Sequence, residues 1–151
     1  MKYKEIANNK EINAYLQKGN ANLGQLGFTD HSKAHCVQVA HQAGKILKRL
    51  GYSEHEIELA KIAGYMHDIG NAINRTHHAE YGALLANDLL KETDMSLEDR
   101  SVIALNLQID EKICSMYDYF EIFLERMMLC RKAAEILGIT FKLTVNGRKV
   151  L

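Results

Sequence analysis

His35, the adjacent pair His67-Asp68, and His78 are the residues of this chain whose types and spacing could do chemistry. They lie in three segments, HSKAHCVQVA, YMHDIGNAI and RTHHAEYGA. Imidazole nitrogen and carboxylate oxygen together suit Fe, Mn, Zn, Ni or Co, and a His from one helix with His-Asp from another makes a facial ligand set with open positions. A divalent ion held that way can activate water against a phosphate ester. The spacing alone is weakly specific, since a single histidine is more often hydrogen-bonded or at the surface. GYMHDIGN, residues 64–71, is more pointed, because it sets two ionisable groups at the end of an otherwise buried segment. Desolvating them is costly unless hydrogen bonds, the partner group or a metal compensates.

The elements that must position these residues are mostly helical. Tyr3 to Lys18 reads as a first amphipathic helix with Ile6, Ile12 and Leu16 as apolar positions, followed by a Gly/Asn-rich break through Gly27. Thr29 or Asp30 can cap a second helix, from about Ser32 to Leu50, which Gly51 stops and which carries His35 near its start. Ser53 and Glu56 form a capping-box pattern that opens a third helix, terminated by Gly70. On its inner face Ala60, Ala63, Gly64 and His67 fall at helical spacing, so another helix can approach closely beside His67. Further helices are expected from about His77 to Lys91, Leu97 to Asp110 and Tyr117 to Leu137, the last with Phe120, Phe123, Leu124, Met127 and Met128 as core. ITFKLTVNGRKVL has two β-prone runs around Asn146-Gly147, which predicts a short C-terminal hairpin at about 139–151.

Length and composition narrow the class. At 151 residues the chain is read as one domain, 1–151, able to bury a core without disulfides or structural zinc. Nineteen basic and nineteen acidic residues give zero net charge, so nothing favours DNA binding, and no basic recognition stripe supports a helix-turn-helix reading. Cys36, Cys114 and Cys130 are odd in number and without C-x-x-C spacing, which fits reduced thiols. No signal peptide or membrane-spanning apolar run is visible, so the expectation is a soluble cytoplasmic protein. Proline is absent where average usage of about 5% predicts about seven, in keeping with helices joined by short connections.

The ordered set of His35, His67-Asp68-Ile69-Gly70, and His78 in HAEYGA, on successive helices over about residues 29–90, resembles the HD-domain superfamily of metal-dependent phosphohydrolases. The resemblance implies a compact, mostly α, HD-type helical bundle; with the hairpin reading above, that is the expected fold. It implies that His35, His67 and Asp68 ligate a divalent ion (Mn, Fe, Co, Ni, Zn or Mg), with Asp68 the catalytic assignment. His78 would bind a second metal or contact phosphate. Asp68 could instead orient His67, but adjacent helical residues rarely face each other, which favours direct ligation. Lys33, Asn71 and Arg75 are candidate phosphate contacts, Arg through a bidentate fork. His31 and His41 are expected to face solvent, and His77 to be exposed or a donor to the site.

The departures matter too. The family usually finishes the site with an Asp on a later helix, and multi-metal members add an N-H-x-x-E segment. No histidine follows His78, and the stretch after Leu90 looks short, as if part of the second half were absent. Asp94, Asp99, Asp110 and Asp118 are the later aspartates, with Asp110 the candidate substitute ligand. In many members a Lys follows HDIG, where this chain has Asn71. The expected function is therefore hydrolysis of a phosphomonoester or nucleotide, weakened by an incomplete ligand set, with a homodimer as one way to supply a missing ligand. The alternative is a catalytically degraded HD protein that binds a metal or nucleotide, or serves as a helical interaction module.

Overall fold

Residues 2–28 and 31–108, with the backbone of 144–145 and 148–149, are described by a computed structural model of the chain. The chain divides into two compact units, Met1–Asp110 and Glu111–Leu151. The first contains α1 (Tyr3–Ala7), α2 (Lys10–Gln25), α3 (Lys33–Arg49), α4 (Glu54–Met66), a 3-10 turn (Ile69–Ala72), α5 (His78–Lys91) and a further helical stretch over 97–108. The expected helices at Ser32–Leu50 and His77–Lys91 match α3 and α5 to within a residue, and the Ser53–Glu56 capping box opens α4. The Tyr117–Leu137 helix and its aromatic and Met core lie outside the described residues, as do Thr29 and Asp30.

Two local expectations change. The run Tyr3–Lys18 is two helices, because the Asn9 side chain accepts from the backbone of Glu11 and Ile12 and starts α2 afresh. The break expected through Gly27 is instead the second half of α2, which ends at Gln25, before the positive φ of Gly27. Gly19 survives inside that helix because a Cβ there would meet Asn71 Cβ and Ala72 N at 3.2 Å. Close packing against the 3-10 turn outweighs the poor helix propensity of glycine.

The hairpin-closed bundle is also corrected. The described body is helical throughout and contains no strand. Between 139 and 151 only the dipeptides β1 (Thr144–Val145) and β2 (Arg148–Lys149) are extended among the described residues, pairing Thr144 with Lys149 and Val145 with Arg148. Among the described residues, two paired residues a side do not make a sheet layer. A strong local turn signal is not enough to build one. The fold is mostly helical.

The core runs through every described helix of the first unit: Ile6, Ile12, Leu16, Cys36, Ala40, Ile62, Tyr65, Met66, Ile69, Ala86, Leu90, Ile103 and Leu107 are buried together. Tyr65 donates its hydroxyl to Asn13 Oδ1 at 2.6 Å, so the largest fully buried side chain among the described residues is satisfied. Burial first, and then the nearby Cys36 and Tyr3, pushes its pKa up to about 12.

Glycines set the spacing around the HDIG segment. A Cβ on Gly64 would lie 3.1 Å from Ala40 Cα and 3.2 Å from Ala40 N, so α3 and α4 touch almost backbone to backbone beside His67. Gly70 is tighter. A Cβ there would overlap the His78 carbonyl oxygen and come within 2.6 Å of Gly82 N, so α5 presses directly on the 3-10 turn. Backbone cannot rotate away as a side chain can. Gly70→Ala should therefore lose at least about 3 kcal/mol in urea unfolding, and Gly64→Ala about 1–2 kcal/mol. Gly24→Ala, which meets nothing within 4 Å, should gain about 0.5 kcal/mol. Equal stability for all three would refute the close-approach account.

Candidate metal centre

The site forms where α4 stops. The helix ends at Met66, His67 caps it, and Asp68 takes φ −93° and ψ 2°, the sparsely populated bridge region. That bend swings the Asp68 carboxylate back, so Oδ2 lies 3.0 Å from His67 Nε2. His35, from the first turn of α3, brings its Nε2 within 3.2 Å of His67 Nε2 and 3.7 Å of Asp68 Oδ2. His67 and Asp68 are each only 5% exposed, whereas His35 is half-buried at the mouth.

The tautomer of His67 follows from its other nitrogen. Nδ1 lies 2.9 Å from the Gly64 carbonyl oxygen, which can only accept, so Nδ1 carries a proton and Nε2 of the neutral ring presents a lone pair. That lone pair faces a carboxylate oxygen. Asp68 Oδ1 accepts from Asn71 Nδ2 at 2.8 Å, but the buried Oδ2 has no properly aligned hydrogen bond among the described residues, despite its short contact with His67. Two acceptors at that distance repel unless positive charge lies with them: a second proton on His67, an Nε2–H of His35, which stands 3.2 Å from His67 Nε2, or a metal ion.

A metal fits the donor set. Bonds of about 2.1 Å put neighbouring ligand atoms about 3.0 Å apart at right angles and about 3.4 Å apart in a tetrahedron. The separations of 3.0 and 3.2 Å fall in that range, and the third, 3.7 Å from His35 Nε2 to Asp68 Oδ2, lies a little beyond it. Among the described residues, His35, His67 and Asp68 form a group able to hold an ion, with two imidazoles and one carboxylate.

Electrostatics agree with a site built for positive charge. Burial by itself raises the Asp68 carboxyl, but a hydrogen bond from His67 and attraction to His67, His31 and His35 in their protonated forms outweigh that, lowering the pKa from 3.8 to about 2. A depressed carboxyl contributes stability above its ordinary value and loses it as pH falls toward about 2. Asp68 therefore remains a carboxylate across the ordinary pH range.

The other expected residues are distributed unevenly. His78 is buried at the start of α5, its Nδ1 donating to the Arg75 carbonyl at 2.9 Å, and it is outside the three-residue group. Asn71 is buried and turned toward Asp68. Arg75 donates to Asn71 Oδ1 at 3.4 Å, stacks 5.1 Å over the Phe28 ring, and lines a cavity of about 310 Å3 with Asn22, Leu26, Ile73 and Asn74. Lys33 donates to the Ala7 carbonyl at the end of α1, so its ammonium is engaged there. His41, His55 and His77 are exposed. Asp94 is exposed in the turn after α5, and Asp99 pairs with His55 at 2.9 Å. Asp110 and Asp118 lie outside the described residues.

His31 is the residue that sequence reasoning places wrongly. It is half-buried, with its ring centroid 5.4 Å from that of His35, and its charge reaches Asp68. The four-residue spacing to His35 is a usable signal, obscured because His31 precedes the start of α3 at Lys33.

Comparison with known proteins decides the family. The model for the HD domain matches residues 33–138. This chain belongs to the HD-domain family. The match begins just before His35 and continues past Leu90, through the stretch that looks short beside the family pattern. The HD-domain chain is also similar to an uncharacterized protein of Methanocaldococcus jannaschii, 34% identical over 106 residues, covering 60% of this chain but only 41% of that relative. No solved structure matches. No helix among the described residues is long and apolar enough to cross a membrane.

Asp68→Ala and His67→Ala should each weaken Co(II) or Mn(II) binding by more than about 100-fold, because a direct ligand is worth more than the 10- to 100-fold typical of its hydrogen-bond partners. Circular dichroism should still report a helical protein. Calorimetry in buffers of different ionisation enthalpy should show proton release on metal uptake, and binding should weaken as pH falls, since imidazoles must be deprotonated to ligate. Metal uptake without proton release at low pH would count against histidine ligation.

Proposed function

We propose that this HD-domain protein is a metal-dependent hydrolase of a phosphomonoester or nucleotide, working with one divalent ion on His35, His67 and Asp68. The observation that carries the reading is the buried, orphaned Asp68 Oδ2 beside the imidazole nitrogens. A bound divalent ion supplies a water of lowered pKa and polarises a phosphoryl oxygen. The protein's own groups do the rest. The Gly64 carbonyl holds His67 in the ligating tautomer, and burial keeps bulk water from competing at Asp68. Arg75, half-exposed on the cavity wall, offers a guanidinium to phosphate oxygens, and His78 is a further candidate for phosphate or a second ion.

The family match crosses both compact units, which supports treating 1–151 as one HD-type domain. Family membership brings phosphorylated substrates generally into view, and the zero net charge makes DNA a poor candidate. We further propose a cytoplasmic setting, from the thiol-type cysteine pattern, and weak catalysis in the isolated chain. Three protein ligands can hold an ion with an open position for water, but the later carboxylate that usually completes the family's site is missing here unless Asp110 or a second subunit adds one.

The test is a hydrolysis panel of phosphomonoesters and nucleotides with and without added Mn(II) or Co(II). Turnover should rise steeply with metal and vanish in Asp68→Ala. Stoichiometric metal with no hydrolysis of any phosphoester would replace this reading with that of a degraded HD protein that binds without catalysis.

A further inference from the structure

We propose that Asn71 is a positioning residue for the Asp68 carboxylate: its amide occupies Oδ1 and leaves Oδ2 as the atom presented to His35 and His67. The inference rests on the metal-centre reading above and assigns Asn71 a task different from phosphate binding.

The geometry is specific. Asn71 Nδ2 donates both to Asp68 Oδ1, at 2.8 Å, and to the Asp68 backbone carbonyl, at 3.1 Å. The two donors of one amide group therefore hold the carboxylate and the backbone that bears it. Which end of the amide faces Asp68 is settled by the other side, because Arg75 NH1 donates to Asn71 Oδ1 at 3.4 Å, and a guanidinium can only donate. Arg75 is in turn braced on the Phe28 ring. Asn71 itself cannot drift: it is 3% exposed, its carbonyl accepts from Asn22 Nδ2 at 3.1 Å, and Gly19 of α2 packs against its Cβ.

The 3-10 turn makes this register. Residues three apart eclipse in a 3-10 helix, so Asn71 stands directly over Asp68, where an α-helical continuation would have offset it. A carboxylate with both oxygens open can rotate or chelate an ion through both. With Oδ1 committed to an amide, Asp68 offers one oxygen in one direction, and the geometry at the ion is set before it arrives.

Asn71→Ala should lower Co(II) affinity by about 10- to 100-fold, the usual effect of removing a ligand's hydrogen-bond partner. Its visible absorption spectrum at saturating Co(II) should also differ from wild type, because the freed carboxylate changes its mode of coordination. A purely structural role would reduce occupancy without altering the saturated spectrum. In an Asp68→Ala background, Asn71→Ala should have no further effect on residual Co(II) affinity. If Asn71→Ala does not fold, by circular dichroism, Arg75→Met serves instead: it leaves the buried residues in place and should shift affinity and spectrum in the same direction, by less. Wild type that takes up no Co(II) overturns the metal-centre reading itself. Wild type that binds, with variants of unchanged affinity and saturated spectrum, overturns only the role of Asn71.

Discussion

A carboxylate that is 5% exposed inside a helical body is the constraint on which the rest of this structure depends. Left alone, Asp68 would take up a proton or unfold its surroundings, because desolvating the charge costs more than any single apolar contact returns. Four elements answer to it. The end of α4 supplies His67, α3 supplies His35, the 3-10 turn supplies Asn71, and α2 clamps that turn through Asn22 and Gly19. The close approaches at Gly64 and Gly70 have the same purpose in the fold. At Gly64 the approach lets α3, which carries His35, come near enough to reach the carboxylate, and at Gly70 it seats α5 on the turn that carries Asn71.

Much of this arrangement is legible in the amino-acid sequence. Ala60, Ala63, Gly64 and His67 fall on one helical face, and that pattern places the α3–α4 contact beside the site correctly, because close helix packing needs small residues wherever it occurs. The HDIG segment likewise signals buried charge. What periodicity cannot show is where the period changes. An α-helix continued through His67-Asp68 sets the two side chains about 100° apart, whereas the observed bend at Asp68 brings Nε2 and Oδ2 to 3.0 Å.

The remaining misreadings have the same origin, local rules overruled by contacts distant in sequence. Glycine propensity argues for a break at Gly19, but the 3-10 turn packs there and the helix continues. Asn8-Asn9 is unremarkable within an amphipathic run, yet the Asn9 side chain captures two backbone donors and divides it. His31 reads as exposed because nothing in its own segment buries it; His35 is its neighbour across the start of α3. Asn146-Gly147 is the reverse case, a strong local signal beside which only two paired dipeptides stand among the described residues.

The identity of residue 71 has a further electrostatic consequence. Where HDIG is followed by Lys, an ammonium at this position would place a full positive charge against Asp68, satisfying the carboxylate whether or not a metal is bound. Asn71 does something different. It is neutral, so it donates to Oδ1 without neutralising the charge that Oδ2 presents. A carboxylate held by a neutral amide keeps more of its attraction for a cation than one paired with lysine, whose full charge meets more of it. In the state without metal this arrangement is the less stable of the two, since Oδ2 must be balanced by a proton on His67 or remain uncompensated. On the proposed metal-centre reading, that residual electrostatic cost would become differential affinity for an ion. For a proposed ligand set of three protein groups among the described residues, that would be the fold's own compensation.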